Sequence, residues 1–311
     1  MLDVVRRYDI DGVHLDDYFY PYPARSSGGG ELDFPDGASW SQYQGKGGKL
    51  DRASWRRQNV DEFIQQLYQA IKQEKRWVKF GVSPFGIWRP GFPPQIKGFD
   101  AYAKLFADSR KWLQQGWLDY CVPQLYWSAS DQEQSFPVLL KWWVEQNRSR
   151  RHVWPGSSLH RHKPEEVLNQ IRLTRQQPGA GGNVMWSMKV LLRNKDGLAE
   201  RLRREAYGQP ALAPASTWLD GEAPSNPSLS IQDGSGSRLK LSWSARYREA
   251  VWLWLLRTRV KGEWSTEVLP RRQGSYVLAL RSKPEVVTLS AVDRCGNVSQ
   301  AAAFEQASGG R

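Results

Sequence analysis

Two adjacent carboxylates, Asp16 and Asp17, end the stretch IDGVHLDDYFYPYP from Ile10 to Pro23 together with the aromatic residues Tyr18, Phe19, Tyr20 and Tyr22. The apolar alternation ahead of them reads as a strand. Side chains alternate between the faces of a strand, so Ile10, Gly12, His14 and Asp16 share one side, while Val13, Leu15 and Asp17 share the other. Val13 and Leu15 are expected under a covering helix, which leaves His14 and Asp16 on the opposite face at the strand's end. A carboxylate so placed and ringed by aromatics suits cleavage between sugars. That chemistry takes an acid to protonate the leaving oxygen and a second carboxylate as nucleophile or base. Asp16 is the first candidate for nucleophile or base; the competing role is a structural carboxylate capping the loop. His14 could hydrogen-bond a sugar hydroxyl or hold Asp16 ionised. Asp17 faces away on a regular strand, which favours loop or cap bonding, and a bulge would turn it inward as a second catalytic carboxylate.

The same parity sets Ser83 and Phe85 on one face at the end of a second apolar run, WVKFGVSPF (77–85). It sets Gln124 and Tyr126 on one face near the end of a third, LDYCVPQLYW (118–127). All four could contact sugar hydroxyls, with Tyr18 and Tyr20 in the first loop. Sixteen tryptophans are present, and Trp88, Trp127 and Trp186 fall where strands end. Flat rings stack on pyranose faces, although core packing explains any single tryptophan equally well. Arg57 and Asn59 open a long helix where a loop returns to the same end, and could bind a carboxylate or an acetamido group; for Arg57 the competing role is helix-surface charge. No acid stands clearly opposite Asp16. Glu31, Asp33 and Asp36 lie in the adjacent loop, Asp119 begins its strand, and the ends SPFG, PQLYW and MWSM hold no glutamate.

The elements that must position these residues alternate. Residues 28–48, rich in Gly, Ser and Asp, read as a long ordered loop. Asp51 and Ser54 can cap a helix with Val60, Phe63, Ile64, Leu67 and Ile71 on one face. Strand 77–85 follows, then one helix capped by Asp100 with Leu105, Phe106, Trp112 and Leu113, ended by Gly116. Strand 118–127, helix 136–146, strand 153–159, a helix from Pro164 through Gln176, strand 183–188 and helix 197–207 complete the series. Five alternations predict parallel strands with helical crossovers. A doubly wound sheet would accept five units, but strands ending in polar and aromatic residues favour the active face of a (β/α)8 barrel. The expectation is that about the last five barrel units are present and that the front strands lie upstream of Met1. Prolines at 210, 214, 224 and 227 mark a linker over 210–227. Alternating segments at Leu239–Trp243, Val251–Val260, Ser275–Leu280 and Val286–Val292 predict a β-sandwich over 228–311.

Composition narrows the classes. Mean hydropathy is −0.63, no apolar run reaches the length of a membrane span, and MLDVVRRYDIDG has charges where a signal peptide would have its apolar core. The formal charge of +12 is spread along the chain, densest at 148–152 and 201–204. It reads as solvated helix faces or as attraction to an anionic polymer. Two distant cysteines, Cys121 and Cys295, predict neither a disulfide nor a metal site. His160 and His162, in HRH, lack further ligands nearby, so no metal and no cofactor are expected. No glycine-rich phosphate loop or GxSxG elbow occurs.

Taken together, YDIDGVHLDDYFYPYP, the helix start WRRQNVDEFI, KFGVSPFGIWRP and LDYCVPQLYW resemble, in order and over about the first two hundred residues, the glycosyl hydrolase-like family 10 of the divisome-localised type. The resemblance implies a (β/α)8 glycoside hydrolase. Its substrate would be a cell-wall polysaccharide, peptidoglycan glycan strands lacking stem peptides, and its place the cell envelope or periplasm by export or lipid anchoring, with cell-division or envelope proteins as further partners. By this likeness the chain lacks about three front strands. The closing AVDRCGNVS, Ala291 to Ser299, resembles the last hairpin of fibronectin type III-like domains. Two rivals stand beside this reading: a non-catalytic carbohydrate-binding envelope protein, in which the aromatics remain but the acid pair is incomplete, and a nucleic-acid binder, supported by charge alone and by no recognisable module.

Overall fold

The computed structural model describes residues 1–233, 238–279 and 282–305, in two units that meet between Ala206 and Tyr207. The first unit runs α1 (Leu2–Arg7), β1 (Gly12–Leu15), α2 (Gly37–Gly45), α3 (Arg52–Glu74), β2 (Lys79–Val82), α4 (Ala101–Lys104), α5 (Ser109–Gln115), β3 (Tyr120–Cys121), α6 (Phe136–Gln146), β4 (His152–Val153), β5 (Gly156–Ser158), α7 (Pro164–Gln176), β6 (Val184–Trp186), α8 (Met188–Leu192) and α9 (Leu198–Glu205). Strands β1 to β4 lie side by side in chain order and pair in parallel. β5 pairs in parallel with β6, and Gln124 bridges to Phe85 on one side and Gly156 on the other. A doubly wound sheet reverses its order at a switch point; this one does not, as in a barrel wall. Among the described residues, β1 and β6 are paired along one edge only.

α3 forms because Asp51 accepts from Ser54 N at 2.9 Å and from its hydroxyl at 2.7 Å, and because Val60, Ile64, Leu67 and Ile71 bury one stripe against the sheet. Phe63, expected on that stripe, is 53% exposed at its margin. The single helix expected from Asp100 is two. Asp100 caps α4 through Ala103 N at 2.8 Å, Phe106 takes a positive φ of 51°, and Asp108 caps α5 through Lys111 N at 3.2 Å. Each aspartate offers the orphan amides of a helix start an acceptor, so a second cap after Leu105 restarts the helix. Gly116 ends α5 at φ 69°. The expected strand at 153–159 breaks at Pro155 into β4 and β5, because proline has no amide to donate to the ladder. The first long loop also holds α2, whose Trp40 and Tyr43 lie against Trp55 of α3 at ring centroid distances of 5.3 and 5.8 Å.

Beneath the sheet, at the start of β3, Asp119 is fully buried and accepts from Lys72 Nζ, from Phe80 N at 2.7 Å and from the Tyr68 hydroxyl at 3.4 Å. Burial holds the Lys72 ammonium below its usual pKa, against the opposing pull of Asp119.

In the second unit β7 (Ser228–Asp233), β8 (Arg238–Ser244) and β11 (Ser275–Ala279) form one antiparallel sheet. β9 (Leu253–Val260), β10 (Glu263–Pro270), β12 (Val286–Val292) and β13 (Ala302–Glu305) form the other. Leu241, Trp254, Leu256, Val287 and Leu289 fill the space between them in a fibronectin type III-like sandwich. β10 was not expected: it lies at the edge of its sheet with most of its residues exposed, so no clean apolar alternation marks it. Leu280 of the expected third strand, and the residues beyond Glu305, lie outside the described residues. Within 210–227, Ser216 and Leu219 are buried, and Ser216 N donates to Cys295 O at 2.7 Å.

Asp119→Ala is expected to lower the stability of the first unit by about 3 to 5 kcal/mol, because it leaves a buried ammonium without its counter-charge and the buried Phe80 amide without this acceptor. Urea unfolding checks this, and an unchanged midpoint would refute the pairing.

Candidate active site

The inner face of the sheet is built in rows. His14, Gly81, Tyr120 and His152 are partners across β1, β2, β3 and β4. Glycine leaves its place in the row empty, and the Tyr120 ring lies across it: a Cβ on Gly81 would stand 2.1 Å from that ring. Tyr120 thereby stacks on His14 with centroids 5.6 Å apart and on Trp154 at 4.9 Å, and Trp154 stacks on His152 at 5.1 Å. The result is a continuous aromatic floor. Burial, then the charge of Asp119, pushes the Tyr120 hydroxyl up to about 12. Burial also lowers the pKa of His14, partly opposed by Asp16.

Above this floor the chain leaves β1. The Asp16 carboxylate is exposed and accepts at one oxygen from Gln124 Nε2 at 2.8 Å and from Asp17 N at 2.9 Å. The Gln124 amide also donates to Ser83 O at 3.0 Å, so one side chain of the third strand ties down the ends of the first and second. Strand geometry stops at Leu15, and the parity argument for Asp17 stops with it. Asp17 is 5% exposed and accepts from the Tyr22 hydroxyl. Burial raises its pKa; the Tyr22 bond opposes that rise, and the charge of Asp16 adds to it.

Tyr126 joins this group. Its hydroxyl is pushed up to about 12 by burial and by the nearby charges of Asp16 and Asp17, against the opposing charge of Arg161. Ser83 is buried, its hydroxyl donating to Val122 O at 3.0 Å. Phe85 meets Trp127 edge-on at 5.7 Å. Tyr18 is 72% exposed, with its ring edge toward Tyr22. Tyr20 is held between Phe34 and Phe106, with Asn59 beside its hydroxyl. Asn59 and Asp16 also border a recess of about 480 Å³ on the helix side of β1, with Leu15, Phe19, Val60 and Phe63.

Other candidates lie apart. Trp88 is in the core, stacked on Trp142 and bonded to Asp108 Oδ1 at 3.0 Å. Arg57 lies over the Tyr102 ring at 4.3 Å and donates to Ser54 Oγ at 3.1 Å. Trp186 is 56% exposed at the end of β6. Among the described residues, no three His, Cys, Asp or Glu side chains are grouped to hold a metal. Sequence reasoning gave no site role to Gly81, Tyr120 and Trp154, and named Tyr22 only as one of the aromatics around the carboxylates. Tyr120 shares the parity of Gln124 and Tyr126, and Gly81 that of Ser83, so the signal was present for those two.

The first loop is fixed by charge. Arg56 is buried and donates to Asp36 Oδ2 at 2.8 Å and to Asp33 Oδ1 at 2.8 Å, and its guanidinium lies 4.9 Å from the Phe106 ring. Arg52 adds a bond to Asp36 at 2.5 Å. These arginines hold Asp36 down at a pKa of about 2.

The sequence pattern of the family described as glycosyl hydrolase-like 10 matches residues 1–170, which include β1, β2, β3, Asp16, Gln124 and the loop around Arg56. The chain belongs to this family. It is similar to glycosyl hydrolase YngK of Bacillus subtilis (strain 168), 38% identical over 256 residues that make up 77% of this chain and 49% of that protein. It is also similar to glycosyl hydrolase DigH of Escherichia coli (strain K12), 39% identical over 158 residues, 49% of this chain and 34% of that protein. The chain therefore spans half or less of the length of these two relatives. Bee venom hyaluronidase bound to a hyaluronic acid tetramer aligns at a TM-score of 0.34 and 14% identity over 62% of this chain and 83% of that one, a likeness too loose to bear on the site.

Two outcomes test this geometry. Gly81→Ala should cost about 1 to 3 kcal/mol as an overpacking change, and little of that cost should remain when Tyr120 is also Ala; equal costs in both backgrounds would show that the ring is not the obstacle. Asp17→Asn tests the buried carboxyl. Because folding raises the Asp17 pKa above its ordinary 3.8, its contribution is full below that value and is lost as pH rises through the folded value. The variant, which cannot ionise, should gain stability relative to the parent as pH rises from 3 to 7, measured by thermal melts; a constant or reversed difference would refute it.

Proposed function

We propose that this chain acts as a glycoside hydrolase on bacterial cell-wall glycan, specifically peptidoglycan strands lacking stem peptides, at the cell envelope or periplasm. The parallel wall would be the catalytic wall of a (β/α)8 barrel, and Asp16 its nucleophile or base. The observation that carries this reading is the exposed Asp16 carboxylate at the C-terminal end of β1, oriented by the Gln124 amide and the Asp17 N–H above a floor of stacked rings. Family membership and relatives named as glycosyl hydrolases support it. Asp17, buried against Tyr22, serves in this reading to position Asp16 through its main chain. The aromatic rings of Tyr18, Phe85 and Trp127 supply stacking surfaces of the kind that sugars take.

A second reading, a glycan-binding protein without turnover, is favoured by one observation. The neighbouring carboxylates are engaged: Asp17 by Tyr22, Asp36 by Arg52 and Arg56, and Glu166 by Ala129 N and Gln170. Release of soluble fragments from peptide-free glycan, measured beside glycan co-sedimentation, separates the two. Asp16→Asn is expected to reduce release on the order of 10³-fold or more while co-sedimentation persists. Parental release rates in the variant would overturn the role of Asp16. A parent that sediments with glycan and releases nothing would establish the binding reading.

A further inference from the structure

The loop between β5 and α7 carries His160, Arg161 and His162, and nothing above gives it a part in the site. It leaves the C-terminal end of β5, and so stands at the same end of the parallel sheet as Asp16. The structure anchors it at its start. Leu159 N donates to Trp186 O at 2.8 Å and His160 Nε2 meets Ser187 Oγ at 3.1 Å, and on the far side the partly buried His162 ring lies beside the main chain of Tyr126. Arg161, between the two histidines, is exposed and makes no hydrogen bond, ion pair or ring contact among the described residues. The acids nearest in sequence are already engaged: Glu166 accepts from Ala129 N at 2.7 Å and from Gln170 Nε2 at 2.9 Å, and Glu165 pairs with Arg201.

Arg161 also lies within electrostatic reach of the reacting end. Its charge acts on Tyr126, and that same hydroxyl lies in the field of Asp16 and Asp17. Tyr126 therefore has negative charge on the β1 side and positive charge on the β5 side. A sugar polymer lying across the strand ends would pass from one to the other.

We propose that Arg161 recognises a free carboxylate on the bound glycan, an assignment that rests on the reading of this end as a glycan site. A guanidinium presents parallel N–H donors that match a carboxylate, and such charge-assisted pairs are stronger than neutral hydrogen bonds. Anchoring the loop at its start removes part of the ordering cost of binding. The substrate class follows from the chemistry. Muramic acid residues whose lactyl group carries no peptide end in a carboxylate. With a peptide attached the same carbon is an amide without charge, and N-acetylglucosamine has no acid at all. Arg57 is the less suitable cation, because its guanidinium is held against Tyr102 and Ser54.

The test uses the full chain and two soluble probes: a peptide-free tetrasaccharide of alternating N-acetylglucosamine and N-acetylmuramic acid, and neutral chitotetraose. Binding of each is measured by titration calorimetry for the parent, Arg161→Gln and Arg161→Lys. The expected result is a loss of about 10- to 100-fold in affinity for the acidic tetrasaccharide in Arg161→Gln, a smaller loss in Arg161→Lys, and no change for chitotetraose. Equal weakening toward both probes, or none toward either, would overturn the assignment of Arg161 and leave the glycan site standing. A parent that binds neither probe would overturn the glycan site and the assignment together.

Discussion

The hydrogen bond from the Gln124 amide to the Asp16 carboxylate reaches from the third strand to the first, and the second strand has to let it pass. The second strand and its exit carry small residues on the inner face: Gly81, whose empty position admits the Tyr120 ring, and Ser83, just beyond β2, whose hydroxyl turns to Val122 O and whose carbonyl accepts from the same amide. A side chain at Gly81 would collide with the Tyr120 ring. The parallel register that sets His14 opposite Gly81 and Gly81 opposite Tyr120 is therefore the condition on which the floor, the carboxylate and the flanking aromatics all depend. A slip of one residue would turn every one of these side chains to the other face.

The two ends of the sheet carry different work. At the start of β3, Asp119 gathers Lys72, Phe80 N and Tyr68 in a buried set whose every member has a partner, and its electrostatics fix the helix α3 to the strands. At the opposite end, the carboxylate and the cation singled out, Asp16 and Arg161, are both exposed and both carried by anchored backbone. This is the usual division of a barrel wall, with stability at the strand starts and chemistry at the strand ends.

How much of this was legible in the sequence depended on whether the cause was local. The alternation from Ile10 to Leu15 separates the faces of β1, and Val13 and Leu15 do lie against the core. Pro164 and the stripe through Ile171 delimit α7. The break between α4 and α5 escaped because the apolar spacing runs on through Leu105 and Trp112, although Asp108 was there to read as a cap. α2 escaped because Trp40 and Tyr43 face an aromatic of another helix and form no stripe of their own. The importance of Gly81 and the lack of a bonding partner for Arg161 among the described residues are properties of neighbouring strands and loops, and no local pattern encodes them.

The Arg56 cluster has a consequence for the environments in which the first loop keeps its shape. In the folded protein Asp36 stays ionised down to about pH 2, so the stability that it contributes is full above its ordinary value of 3.8 and is lost as pH falls from there through about 2. Its partners are guanidiniums, which do not lose their charge at any accessible pH. The segment from Asp17 to Asp36, which brings Tyr18, Tyr20 and Tyr22 to the strand ends, is thus fastened by a clasp of charges. In the folded protein, an acidified surrounding that protonates ordinary carboxylates leaves this clasp charged, while the stability it lends over the unfolded chain declines.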